Sequence, residues 1–266
     1  MRRLSVIPMA FLVLLSACVV IRTETRTPGP AAGAPGGGEA PPQAEPATLD
    51  ATSDRRLLGS LGWALLSPEV SSAVIEIDQL GGEKLGQEAI DAMRQALVEH
   101  GGKKTVDVVV NDSTASKDVY SLEDLVATAQ DHRDRSSGGG TVALHVLVLP
   151  GRFEVEGVPG AAFHATSIAL FPEAIRRSLP GGAAESAFEV AVAVHELGHT
   201  FGLVNRTGVG DFHEDPDHPG HTADEDSVMY WAIESPSQTE IFRTGPPRSF
   251  NDADRQEMEM IRGQRP

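Results

Sequence analysis

The apolar positions of the chain follow two periodicities, and their order predicts a domain that mixes strands and helices. Short apolar runs predict strands over residues 73–77, 105–110, 141–149 and 163–171. The third run is the most apolar and is expected at the sheet centre. The fourth is the candidate edge strand, although it could equally be an interior strand. Helical spacing predicts helices over residues 86–100, 121–134, 185–201 and 252–261. Together they predict an α/β sandwich: a twisted mixed sheet with helices, then a loop-rich half and a C-terminal helix.

The first 17 residues predict a secretory signal peptide. A basic start at Arg2 and Arg3 precedes an apolar run that is too short for a comfortable membrane span. The run ends in Leu-Ser-Ala-Cys, which resembles the lipobox of bacterial lipoproteins, where the signal is cut before the cysteine that carries the lipid. Cys18, the only cysteine, is therefore the expected site of lipid attachment. An ordinary signal peptide or an N-terminal membrane helix would give a similar pattern.

Composition separates a tether from a folded domain. Residues 18–53 are rich in Pro, Gly, Ala and Glu and contain no aromatic residue, which predicts a flexible tether. Residues 54–266 have the length of one domain. The formal charge of -16 argues against nucleic-acid binding and against a basic membrane-binding surface. We therefore expect a monomer anchored in the cell envelope by its lipid. Val19 after the cysteine, rather than aspartate, favours the outer membrane where the source has two.

The predicted helix over residues 185–201 carries the most informative motif. Its first half is apolar on nearly all sides, and His195, Glu196 and His199 follow within that apolar setting. Burying two imidazoles and a carboxylate is costly unless they are paired or bind a metal. Positions four apart share one helix face, so both imidazoles can reach one ion. This HExxH arrangement predicts zinc, with Glu196 beside the ion as a base. The alternative is a helix without a metal, in which the two histidines lie in the core and are satisfied by hydrogen bonds.

The longer motif HELGHTFGLVN resembles the metzincin signature HExxHxxGxxH. Gly202 matches the glycine at which the chain turns sharply, whereas Asn205 stands where the third histidine belongs. An amide oxygen is a poor zinc ligand beside imidazole. Further along, the segment HEDPDHPGH supplies His213, His218 and His221.

The spacing after His221 is similar to that of archaemetzincins, a metzincin branch. There the third histidine is followed by cysteine, four residues, cysteine, one residue and methionine. Here Thr222 and Ser227 stand at the cysteine positions, and Met229 follows as the methionine of a Met-turn. The resemblance implies that His221 is the third ligand, displaced 16 residues from position 205, with His213 as its rival. Without the cysteines, we expect one zinc.

The resemblance implies a zinc endopeptidase with a metzincin-like fold, whose edge strand pairs with an extended protein or peptide substrate. Glu196 would act as general base, and Tyr230 would either stabilise the oxyanion or pack in the core.

Two functions of a different class are also compatible with the sequence. One is an inactive zinc-binding lipoprotein that serves as a binding module. The second is an envelope interaction protein without metal, in which the histidine loop contacts a partner or is a solvated acidic segment. Calcium binding by the aspartates of that loop matches no recognised calcium-binding pattern.

Overall fold

The computed structural model describes residues 49–178, 183–204, 213–234 and 245–264. The predicted signal peptide, Cys18, most of the tether and Asn205 lie outside the described residues. Within the described ranges, helices long and apolar enough to span a bilayer do not occur.

Seven strands and six α-helices make up the described structure. The strands are β1 Ser72–Leu80, β2 Thr105–Ser113, β3 Val119–Tyr120, β4 Thr141–Val148, β5 Arg152–Phe153, β6 Gly160–Phe163 and β7 Ser167–Leu170. The helices are α1 Gly62–Leu66, α2 Gln87–Glu99, α3 Leu122–His132, α4 Pro172–Ser178, α5 Ala183–Phe201 and α6 Asp252–Arg262. Single turns of 3-10 helix lie at Ser53–Arg55 and Trp231–Ile233. The predicted helices are confirmed to within two residues, and the structure adds α1, α4 and the short strands β3 and β5.

The main sheet has the order β2-β1-β4-β7-β6. β1 pairs in parallel with both β2 and β4, β4 pairs in parallel with β7, and β6 is antiparallel to β7. The predicted mixed α/β fold is confirmed, with β4 at the sheet centre. Apart from Thr141, every residue of β4 is buried, as expected for a strand covered on both faces.

The single edge strand predicted over residues 163–171 is wrong in its detail, because the segment belongs to a hairpin. β7 is an interior strand, and the edge is β6, which begins three residues before the predicted strand. The chain reverses at residues 164–166, where His164 adopts a φ of 55°. Histidine rarely takes this conformation, and no glycine, proline or asparagine marks the turn. The reversal was therefore invisible in the pattern.

The two faces of the sheet pack against different layers, because alternate residues of a strand point in opposite directions. On one face, Ile75, Ile77 and Val146 pack in the core that contains the apolar residues of α2 and α5. On the other face, Leu147 joins the smaller core beneath α3. Ser121 caps α3 as predicted, and its side chain and that of Asp124 bond each other's backbone amides.

Lys103 is a buried cation that holds the end of α1. Its ammonium group donates hydrogen bonds to the carbonyl oxygens of Ala64 at 2.7 Å and Ser67 at 2.8 Å. Burial is the main reason why the pKa of Lys103 falls to about 7, and the charge of Arg262 adds to the effect. The folded protein therefore loses this proton at a lower pH than the unfolded chain, whose lysines keep their ordinary pKa of 10.5.

We expect the free energy of unfolding to rise with pH between about 7 and 10, because the unfolded chain then binds more protons at Lys103 than the folded one. Lys103→Met should flatten that rise, whereas Lys104→Met, at the exposed neighbouring position, should leave it unchanged. Urea unfolding at pH 7 and pH 9.5 measures the three slopes. Equal slopes in wild type and Lys103→Met would contradict the assignment.

Candidate metal centre

Helix α5 carries two of the site imidazoles and ends in a tight reversal. Gly202 has a φ of 90°, its amide bonds the carbonyl of His199 at 3.1 Å, and the amide of Leu203 bonds the carbonyl of Gly198 at 3.1 Å. This pair of bonds is a Schellman motif, which favours glycine because of the positive φ. The chain therefore leaves the helix abruptly, as the sequence predicted.

His195 is buried and held in one tautomer. Its Nδ1 lies 2.7 Å from the backbone carbonyl of Val228. A carbonyl oxygen only accepts, so Nδ1 carries the proton and Nε2 of the neutral ring keeps a lone pair. The Nε2 atoms of His195 and His199 lie 3.1 Å apart. Fixing one ring nitrogen by a hydrogen bond is how proteins aim the other at a metal.

His221 brings the third imidazole to the same point. Its ring centroid lies 5.1 Å from those of His195 and His199, and its ring is stacked on that of His195. The loop that presents it is held by backbone bonds, from the amide of Asp215 to the carbonyl of His221 at 2.8 Å and from the amide of His221 to the carbonyl of His218 at 3.0 Å. All three rings are almost completely buried.

Glu234 is a fourth member of the cluster, and sequence reasoning missed it. One carboxylate oxygen lies 3.5 Å from Nε2 of His195 and 3.7 Å from Nε2 of His199, and the other lies 3.3 Å from Nε2 of His221. Burial raises the pKa of Glu234, but the charge of His221 and hydrogen bonds from the imidazoles outweigh it, so the net shift is well downward. The residue follows a 3-10 turn that no motif marks.

The donor set fits a zinc ion. Ligand atoms of the three histidines and Glu234 all lie within 4.8 Å of one another. Zinc binds imidazole nitrogen and carboxylate oxygen at about 2.0–2.1 Å, so two ligands at adjacent corners of a tetrahedron lie roughly 3.3–3.4 Å apart. The observed separations of 3.1 to 3.7 Å bracket this value. The geometry and the chemistry of the donors therefore agree.

Glu196 lies beside the donor set without belonging to it. Its side chain is completely buried and packs against the edge strand β6. A Cβ atom built on Gly160 would lie 2.8 Å from Oε1 of Glu196 and 2.8 Å from Cγ1 of Val192. The absence of a side chain at Gly160 therefore lets this carboxylate lie directly against the backbone of the edge strand.

Met229 and Ser227 connect the loop to two helices. Met229 is fully buried, and a Cβ on Gly198 would overlap its sulfur, so the thioether lies against α5 between the site residues. Ser227, at a cysteine position of the archaemetzincin pattern, accepts from the amide of Met229 at 2.9 Å and donates to Asp254 at 2.7 Å. Asp254 belongs to the capping box of α6. Serine thus serves as a structural link here.

The remaining candidates of the histidine loop are engaged elsewhere. His213 lies 2.8 Å from the buried carboxylate of Glu257; burial lowers the pKa of His213, but the bond and charge of Glu257 raise it overall. His218 bonds Asp215 at 2.7 Å and stacks on Trp231 with 4.0 Å between ring centroids. Tyr230 is 5% exposed and its ring is 5.5 Å from that of Trp231, an arrangement that suits packing.

A second buried group with metal-ligand chemistry lies in the sheet and comprises Glu76, Asp78 and His145. His145 Nε2 is 2.7 Å from Asp78, and Asp78 also accepts from Asn111. Both oxygens of Glu76 accept backbone amides, from Asp134 and Arg135, at 2.9 Å. Glu76 therefore fastens the chain after α3, while Asp78 links β1 to its neighbours β4 and β2 through His145 and Asn111.

Comparison with known proteins gives a distant structural likeness. No protein-family model matches the sequence, and no curated protein does either. Solved structures do match. One is the crystal structure of an archaemetzincin from Methanopyrus kandleri, which is 15% identical with a TM-score of 0.47 and covers 75% of this chain and 99% of that one. A likeness this distant leaves the function to be argued from the residues of the metal centre.

Proposed function

We propose that the chain is a zinc-dependent peptidase in which His195, His199 and His221 hold the ion. The observation that carries the proposal is the convergence of three buried imidazoles, one with its tautomer set by the Val228 carbonyl. Three histidine ligands are a recurrent donor set of catalytic zinc. The carboxylate of Glu196, one residue along α5 from the first ligand, supplies the base that a purely structural site does not need.

The protein groups divide the work of peptide hydrolysis. The three histidines would hold a zinc ion, which would supply a Lewis acid to polarise the scissile carbonyl and lower the pKa of water. Glu196 accepts the proton of the attacking water and delivers it to the leaving amine. Burial of the site excludes bulk water, which strengthens each electrostatic interaction there. The backbone carbonyl of Val228 bonds Nδ1 of His195 and so leaves Nε2 of that ring to face the metal centre.

The edge strand β6 is the proposed binding site for substrate backbone. Among the described strands it pairs with β7 on one side only, so its other edge is the proposed place for the backbone of an extended peptide to pair. Gly160, at the start of β6, adjoins Glu196. A substrate strand added there would run past the base. This supports a protein or peptide as the substrate.

The envelope location is proposed on the sequence of the N-terminus. The lipobox-like segment ending at Cys18 supports lipid attachment, and the acidic chain, with its formal charge of -16, supports anchoring by lipid rather than by a basic surface. We propose that the domain acts as a monomer at the membrane to which residues 18–53 tether it.

One observation favours a second candidate, a zinc-binding lipoprotein without activity. Glu234 contacts all three imidazoles, and four protein ligands are typical of structural zinc sites, which lack an open position. In that case the chain is a binding module. Glu196 distinguishes the two candidates, because a closed structural site makes no use of it.

Zinc content tests the ligand set. We expect one zinc per full-length chain, with strong loss in His199→Ala and His221→Ala because each removes an imidazole from the cluster. His213→Ala and His218→Ala are the matched controls and should keep the metal, since their rings bond Glu257 and Asp215. Elemental analysis after dialysis measures the content. Zinc lost in His213→Ala but kept in His221→Ala would assign the third ligand to His213.

Glu196→Gln separates catalysis from metal binding. The amide cannot take the proton of water, so peptidase activity should fall about 10²–10⁴-fold, while zinc content stays at the wild-type value. Glu185→Gln, on the same helix but away from the cluster, is the control and should change neither. Cleavage of a fluorogenic peptide library, with zinc analysis in parallel, reports both. Equal activity in Glu196→Gln and wild type would remove Glu196 from the mechanism.

Gly160→Ala tests the contact between β6 and the base. The added methyl group would lie 2.8 Å from Glu196 Oε1, so the carboxylate must move, and misplacing a catalytic group by about 1 Å can cost roughly 100-fold in rate. We expect kcat to fall with zinc content unchanged. Ala161→Ser, which also adds one heavy atom to β6, is the control. An unchanged kcat in Gly160→Ala would show that Glu196 is not held against the strand.

A further inference from the structure

We propose that Glu234 is a displaceable fourth ligand that keeps the metal centre closed until substrate takes its place. The inference rests on the proposed function, because it assigns a resting state to that same centre. It concerns a residue outside the HExxH motif. It implies that the peptidase stays inactive until substrate displaces a ligand supplied by its own domain.

The position of the carboxylate carries the first step. Glu234 approaches all three imidazoles, within 3.3 to 3.7 Å of their Nε2 atoms, and its side chain is only 7% exposed. A buried carboxylate is costly unless it is paired or coordinates a metal. If the three imidazoles held an ion, Glu234 would lie within reach of the fourth corner of its tetrahedron, with one carboxylate oxygen near His195 and His199 and the other near His221. That corner is where a catalytic site holds water or substrate.

The presence of Glu196 carries the second step. A centre closed by four protein ligands needs no base, yet Glu196 is buried beside the cluster and against the edge strand. A closing ligand and a catalytic base are compatible in one site if Glu234 leaves the fourth ligand position during turnover. Glu196 can then accept a proton from the water that enters.

The backbone around Glu234 shows why this ligand is the one to leave. His195 and His199 belong to a helix of 19 residues packed in the core. Glu234 instead follows a single 3-10 turn, in which the amide of Ile233 bonds Tyr230 at 3.1 Å and the amide of Glu234 bonds Trp231 at 3.3 Å. Moving Glu234 disturbs one short turn, whereas moving either histidine disturbs the main helix.

Hydroxamate binding to the cobalt-substituted full-length protein tests the inference without relying on turnover. Acetohydroxamate must compete with Glu234 for the metal in wild type but not in Glu234→Ala. If Glu234 coordinates the metal in about 99% of molecules, its removal lowers the apparent Kd for acetohydroxamate about 100-fold. The visible spectrum of cobalt should also change, because a water replaces the carboxylate. Glu234→Gln, which keeps the shape of the side chain, should behave in the same direction.

Glu225→Gln is the charge-matched control, since Glu225 is exposed in the same loop region; its spectrum and hydroxamate affinity should equal those of wild type. Circular dichroism confirms that each variant is folded. Equal hydroxamate affinity in wild type and both Glu234 variants would overturn the inference while leaving the peptidase proposal standing. Tighter binding without any peptidase activity would support the fourth ligand and overturn the peptidase. A wild-type chain that binds neither cobalt nor zinc would overturn both.

Discussion

The burial of two imidazoles and a carboxylate on one apolar helix is the constraint on which the rest of the structure depends. Helix α5 packs in the main core of the domain, so His195, Glu196 and His199 lie where unpaired polar groups are costly. The groups that face the two imidazoles include the carbonyl of Val228, the ring of His221 and the carboxylate of Glu234, all from elsewhere in the chain. Residues 213–234 therefore supply the groups that face the buried imidazoles of the helix.

Hydrogen bonds hold residues 213–234 in place alongside the apolar packing of this segment. Thr222 and Met229 are joined by a backbone bond, Ser227 links the turn to Asp254, and Glu257 of α6 accepts from the backbone amide of Val204 at 2.7 Å. Each of these contacts joins segments that the sequence separates. The segment that carries His221 is therefore joined to α6 through the bond between Ser227 and Asp254.

The two carboxylates of the site, Glu234 and Glu196, favour different functions. Glu234 faces the imidazoles and supports a closed centre, whereas Glu196 faces the edge strand and supports chemistry on a bound peptide. A static arrangement uses only one of them. The physical difference between a structural and a catalytic zinc site is the open corner, so the two proposed functions differ in whether Glu234 stays at the metal centre.

Much of the fold and half of the site could be predicted from the sequence because they depend on local periodicity. The alternation of strands and helices, the capping of α3 by Ser121, and the pairing of His195 with His199 follow from spacings of two to four residues. Only the tertiary structure brought His221 rather than His213 to the cluster, revealed Glu234, and placed β6 rather than residues 163–171 at the edge of the sheet. These features depend on how loops close over long separations and on a left-handed histidine at position 164, and local patterns do not encode them.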